Sequence, residues 1–196
     1  MINRKRERNS NNQTKVLTQS FLCGLTLKLS CERRLADASR LELQTAVTLA
    51  GLMAEHDVDP AAFLAYVHDI EMDVLEEDAP LAAAIAKLPG RKLVFTNGDK
   101  PYALKVLDRL GLGRQFEAVH DIHAMGLVPK PQPSAYAGLC SAFDIDPTRA
   151  IFFEDMARNL APAKAIGMTT VWVDNGSEQG PEGAREHIDY TVHALT

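Results

Sequence analysis

Apolar residues recur along this chain with two different periods. Between Leu35 and Pro89 the spacing is helical. Ala46, Val47, Ala50 and Met53 form one stripe, and Phe63, Leu64, Val67 and Ile70 form a second. Asp57-Val58-Asp59-Pro60 makes a turn between them, Pro80 opens a third helix, and Pro89-Gly90 closes it. After Gly90 short apolar runs alternate with helical ones. Strands are predicted over Lys92–Phe95, Phe116–Val119, Ala150–Phe153 and Thr169–Val173, with helices over Pro101–Leu110, Ser134–Phe143 and Met156–Ile166. Such alternation implies parallel pairing and an α/β doubly wound sheet of Rossmann-like type. In that architecture the ligand lies beyond the carboxyl ends of the strands.

Composition divides the chain further. Residues 1–15 carry Arg4, Lys5, Arg6, Arg8 and Lys15 among Asn and Ser, with Glu7 as the one acid. Such a stretch has little to bury and is expected to be disordered. Residues 1–34 are therefore set apart from a helical region at 35–88 and an α/β core at 89–196. A basic start before an apolar run has the outline of a secretory leader, but Gln19, Ser20 and Lys28 interrupt it and no cleavage site follows. The formal net charge of -5 argues against general nucleic-acid binding, and no apolar run is long enough to span a bilayer. Three cysteines, Cys23, Cys31 and Cys140, make no disulfide framework and favour a reducing, cytoplasmic setting.

Three polar clusters fall at predicted strand ends. Thr96-Asn97-Gly98 follows the strand Leu93–Phe95, where a hydroxyl and backbone N–H groups can hold phosphate oxygens, or simply cap the next helix. Lys130 stands between Pro129 and Pro131, which stiffen the backbone and aim its ammonium; a solvated surface lysine is the plainer alternative. Glu154 and Asp155 follow an apolar strand, where two adjoining acids repel unless a hard cation such as magnesium joins them. Asn159 lies one helical turn beyond Asp155.

In this order the clusters resemble the second, third and fourth motifs of the haloacid dehalogenase superfamily. VFTNGDK, VPKPQPSAY and FFEDMARNLAPAKAIGMTTVWV look most like its pyrimidine 5'-nucleotidase branch. The likeness runs from about Thr45 to the C-terminus, and the helical region resembles a small, incomplete cap. The resemblance implies a magnesium-dependent phosphomonoester hydrolase acting on a small phosphorylated metabolite, such as a pyrimidine nucleoside monophosphate. Thr96, Asn97 and Gly98 would hold the phosphate. Lys130 would stabilise a phospho-aspartyl intermediate. Asp155 would ligate Mg2+, with Glu154 and Asn159 assisting.

The family's first motif, Asp-x-Asp-x-Thr after the first core strand, has no counterpart before Thr45, where Asp37 is the one aspartate. The nucleophile and the acid that protonates the leaving alcohol are both missing. The central strand is expected to be absent or replaced, with Leu25–Leu29 as a possible substitute because it alternates. A catalytically inactive fragment or relative is the alternative reading, and residues 1 to about 40 are expected not to be the family's natural start. Asp144-Ile145-Asp146-Pro147-Thr148 fits the missing pattern literally, yet it follows a helix and precedes a strand, so it reads as a connecting loop. His120-Asp121-Ile122-His123 is too loosely spaced for zinc. Cys140 and Trp172 read as packing residues.

Overall fold

The computed structural model describes residues 14–17, 58–69, 72–73, 75–175 and 185–193. They form a six-stranded sheet in the order β3-β2-β1-β4-β5-β6, every neighbouring pair parallel. The strands are β1 Thr14–Leu17, β2 Arg91–Phe95, β3 Ala118–His120, β4 Ala150–Glu154, β5 Thr169–Val173 and β6 Tyr190–Val192. The helices are α1 Pro60–Val67, α2 Ala79–Lys87, α3 Lys100–Arg109, α4 Pro133–Phe143 and α5 Leu160–Ala165. The doubly wound α/β reading therefore holds.

One local rule sets the starts of three helices. An aspartate caps a free main-chain N–H, and a proline follows one or two residues later, where its missing N–H costs nothing. Asp59 accepts from Ala61, Asp78 from Leu81 and Asp99 from Tyr102, at 3.1, 2.8 and 2.8 Å. Pro60, Pro80 and Pro101 are the prolines.

Strand side chains alternate between the two faces of the sheet. Leu93, Phe95, Phe152 and Trp172 pack with Ala135, Tyr136 and Leu139 of α4 and with Leu160 and Ala163 of α5. Val94, Phe153, Val171 and Val173 pack on the other face with Leu81 and Ile85 of α2 and with Tyr102, Val106 and Leu107 of α3.

Two expectations need correction. The central strand is present: β1 pairs with β2 from Thr14 to Leu17 and with β4 over the same residues. It straddles the end of the stretch expected to be disordered and the start of the apolar run, because a four-residue strand closed on both sides needs no long alternation to announce itself. The segment 157–165 is not one helix. It begins as a 3-10 turn at Ala157–Asn159 and becomes α-helical from Leu160. The Leu25–Leu29 substitute and the first helical stripe lie outside the described residues.

Candidate active site

Lys130 is the hub of the site. Its ammonium donates to Glu154 Oε2 at 2.9 Å and to the Phe95 carbonyl at 3.0 Å. The Phe95 and Phe152 rings lie beneath it, with centroids 5.0 and 5.7 Å away. The two charged side chains are 2% and 0% exposed, so the pair is dry. Glu154 spends its second oxygen, Oε1, on the N–H of Met156 at 3.2 Å.

Asn97 holds the same lysine by its backbone. Its Oδ1 accepts from Lys130 N at 2.8 Å, and its Nδ2 donates to Lys130 O at 3.2 Å. The carboxamide is thereby engaged at both ends. Thr96 is buried; its hydroxyl oxygen accepts from Gly98 N at 3.0 Å, and its own N–H donates to His120 O at 3.0 Å. The three clusters predicted from sequence thus converge at the carboxyl ends of β2 and β4, on either side of β1.

Asp155 and Asn159 are both buried, each 5% exposed. The Asp155 carbonyl accepts from Trp172 Nε1 at 2.8 Å. The Asn159 carbonyl accepts from the Tyr136 hydroxyl at 2.6 Å. Tyr136 titrates far above the usual phenol range, first through burial and second through the nearby Glu154 charge, so it stays a protonated donor. Asn159 Oδ1 accepts no hydrogen bond among the described residues. A buried amide oxygen left in that state is costly unless something else occupies it.

A hard divalent cation fits this donor set in type: one carboxylate and one amide oxygen, both buried. Glu154 is committed to Lys130 and Met156. Among the described residues no group of three or more His, Cys, Asp or Glu side chains is gathered as a metal centre. A cation here would therefore rest on Asp155 and Asn159 and complete its shell with other oxygens. Thr18, Gln19 and Ser20 follow β1 in sequence; they lie outside the described residues, and none is a carboxylate.

Two other sequence features fall elsewhere. Asp146 caps the 3-10 turn at Pro147–Arg149, accepting from Thr148 N and Oγ1, at the amino end of β4 and so opposite the site. His120 is buried against the Phe95 and Phe143 rings, while Asp121 accepts from Lys100 N and Ala124 N. Sequence reasoning passed over Tyr136 and Trp172 as functional. Tyr136 lies six residues beyond Lys130 in the stretch KPQPSAY, so proximity in sequence was the available signal; Trp172 offered none beyond an aromatic near a strand end.

A doubly wound sheet with a buried Lys–Glu pair and an acidic turn at its carboxyl edge defines a scaffold in which ligands bind beyond those strands. The chain belongs to the haloacid dehalogenase-like hydrolase family, whose sequence profile matches residues 15–167. It is 34% identical over 80 residues to validoxylamine A 7'-phosphate phosphatase of Streptomyces hygroscopicus subsp. limoneus, covering 40% of this chain and 36% of that protein. It is 33% identical over 107 residues to a CBBY-like protein of Arabidopsis thaliana, covering 50% and 33%. The matches thus span about a third of these curated relatives' length. Solved structures agree on the fold. A dehalogenase with an intermediate complex superposes with a TM-score of 0.61 at 17% identity, covering 95% of each chain. The Bacillus subtilis hydrolase YfnB, bound to magnesium, gives 0.56 at 13% identity, covering 94% of this chain and 96% of that one. No helix among the described residues is long and apolar enough to cross a membrane.

Proposed function

We propose that this chain is a phosphomonoester-binding member of its hydrolase family, with Mg2+ as cofactor and no phospho-aspartyl turnover of its own. The carrying observation is Lys130, a buried ammonium held by Glu154 and Phe95 O beside Thr96, at strand ends that flank a β1 whose next three residues, Thr18, Gln19 and Ser20, carry no carboxylate. Lys130 supplies positive charge where phosphoryl oxygens would lie. The Asn97 N–H, in a turn whose Thr96 and Gly98 N–H groups are spent on His120 O and Thr96 Oγ1, would supply a neutral donor. Asp155 and Asn159 would hold magnesium, which when bound neutralises phosphate charge. Pyrimidine nucleoside monophosphates are the first ligands to try, on the strength of the motif phrases.

A second reading, an active phosphatase of the same ligands, draws support from the phosphatase relative. One experiment separates them. Calorimetry with uridine and cytidine monophosphates plus Mg2+ is expected to show binding that Asp155→Asn weakens. Phosphate release from the same mixtures is expected to stay at background. Turnover lost in Asp155→Asn would replace the first reading by the second. Absence of both binding and turnover would end both.

A further inference from the structure

Asp155 and Asn159 are braced by side chains from two other elements. Trp172 on β5 donates its indole N–H to the Asp155 carbonyl, and Tyr136 on α4 donates its hydroxyl to the Asn159 carbonyl. Each bond is made to the main chain of a donor residue rather than to its side chain. The segment between them holds a three-residue 3-10 turn, Ala157–Asn159, closed by Asn159 N to Met156 O at 2.9 Å, a form with poorer hydrogen-bond geometry than an α-helix. The braces are themselves fixed. Tyr136 is fully buried, edge-on to Phe95 and Phe152 at 5.2 and 6.0 Å. Trp172 is covered by the Arg185 guanidinium, 4.1 Å above its ring centroid.

We propose that Tyr136 and Trp172 are positioning residues for a divalent-cation site, setting the separation of the Asp155 and Asn159 oxygens through their backbones. This rests on the reading of Asp155 and Asn159 as cation donors. The independent pointer to a ligand is Asn159 Oδ1, buried and accepting no hydrogen bond among the described residues. Loss of the hydroxyl takes a hydrogen bond from the buried Asn159 carbonyl and releases the 3-10 turn from its tether to α4. Asn159 Oδ1 moves with it. Groups that orient metal donors without touching the metal typically contribute about 10- to 100-fold in affinity.

The test uses Mn2+ as the probe, counted free by electron paramagnetic resonance in titrations of the whole chain. Tyr136→Phe keeps the ring and removes one hydroxyl; its Mn2+ dissociation constant is expected to rise about 10-fold or more. Trp172→Phe removes the indole N–H and is expected to act in the same direction, which keeps the test open if Tyr136→Phe fails to fold. Arg91→Lys is the control. It disturbs the Arg91–Glu117 pair and the Arg91 bond to the Phe143 carbonyl, away from the cation donors, and is expected to lower stability with Mn2+ affinity unchanged. Lower melting temperatures with unchanged Mn2+ affinity in both aromatic variants would reduce them to core residues and overturn this proposal alone, provided Asp155→Asn abolishes binding. A wild-type chain that binds no Mn2+ would overturn the cation reading itself and this proposal with it.

Discussion

Replacing Lys130 by Met leaves a side chain of similar length in place and removes its charge. Glu154 is then fully buried with one hydrogen bond remaining, from Met156 N. Breaking a buried ion pair on one side costs about 3–5 kcal/mol, because the partner charge is left in a dry site. A second route gives a ceiling of the same size. A carboxyl can escape by taking a proton, and at pH 7 that costs about 3.7 kcal/mol for an ordinary pKa near 4.3. With a urea slope of about 3 kcal/mol/M for a chain of this length, the midpoint should fall by about 1 M. The route also predicts a sign. In Lys130→Met the native state prefers the protonated carboxyl, so it binds more protons than the unfolded state and the variant regains stability as pH falls from 7 toward 5. Lys130→Met with Glu154→Leu should recover most of the loss, since apolar replacement of a whole buried pair is often neutral or better. The assay is urea denaturation followed by circular dichroism at pH 5, 6 and 7. A Lys130→Met loss below about 1 kcal/mol, or one independent of pH, would refute the claim that this pair is dry and mutually dependent.

Burial pushes His120 below its usual pKa of 6.5, with Asp121 only partly offsetting it; above pH 6.5 this costs nothing, and as pH falls the unfolded state protonates first, so stability drops. His120→Phe should flatten that decline in urea midpoints between pH 7.5 and 5, though not abolish it, because half-buried His68 is shifted the same way; an unchanged slope would clear His120. Asp99→Ala removes the cap on Tyr102 N and should cost about 1 kcal/mol by thermal unfolding, a loss that Asp99→Asn largely spares. Installing carboxylates directly after β1, as Thr18→Asp with Ser20→Asp, is expected to bring Mg2+-dependent release of phosphate from uridine monophosphate; continued silence in a variant that still binds the nucleotide would show that more than the nucleophile is lacking.

The alternation of short apolar runs with amphipathic helices after Gly90 was enough to place β2 to β5 and α3 to α4 within a residue or two, because a buried parallel strand and a helix differ plainly in period. β1 escaped notice. Lys15-Val16-Leu17 has too few residues to show a period, and its place is decided by two partners far away in sequence. The approach of Lys130 to Glu154 could be expected from the motif order, but its consequence for Glu154, whose oxygens are both spoken for, could not. Asn97 looked like a phosphate contact because its neighbours did. Its reciprocal bonds to the Lys130 backbone depend on the 121–132 loop folding back over β2, which no local pattern encodes. Tyr136 and Trp172 were legible as aromatic bulk. The direction of one hydroxyl and one indole N–H belongs to tertiary packing.

The placement of β1 also bears on the order in which the molecule can assemble. Residue 14 meets residues 91 and 150, separations of 77 and 136 along the chain. Of the described strands, β1 is made first and must wait for β4 before it has both its neighbours. At about 5–20 residues per second, translation alone imposes a wait of about 7 to 27 s between making Thr14 and making Ala150. Until then β1, even once paired with β2, has an open side where β4 belongs. Loss of residues 1–17 would leave β2 and β4 open for good, two bare edges facing each other at the middle of the sheet. A chain shortened at its start should therefore be caught by aggregation rather than by mere loss of stability, and the vulnerability lies at the centre of the sheet rather than at its rim.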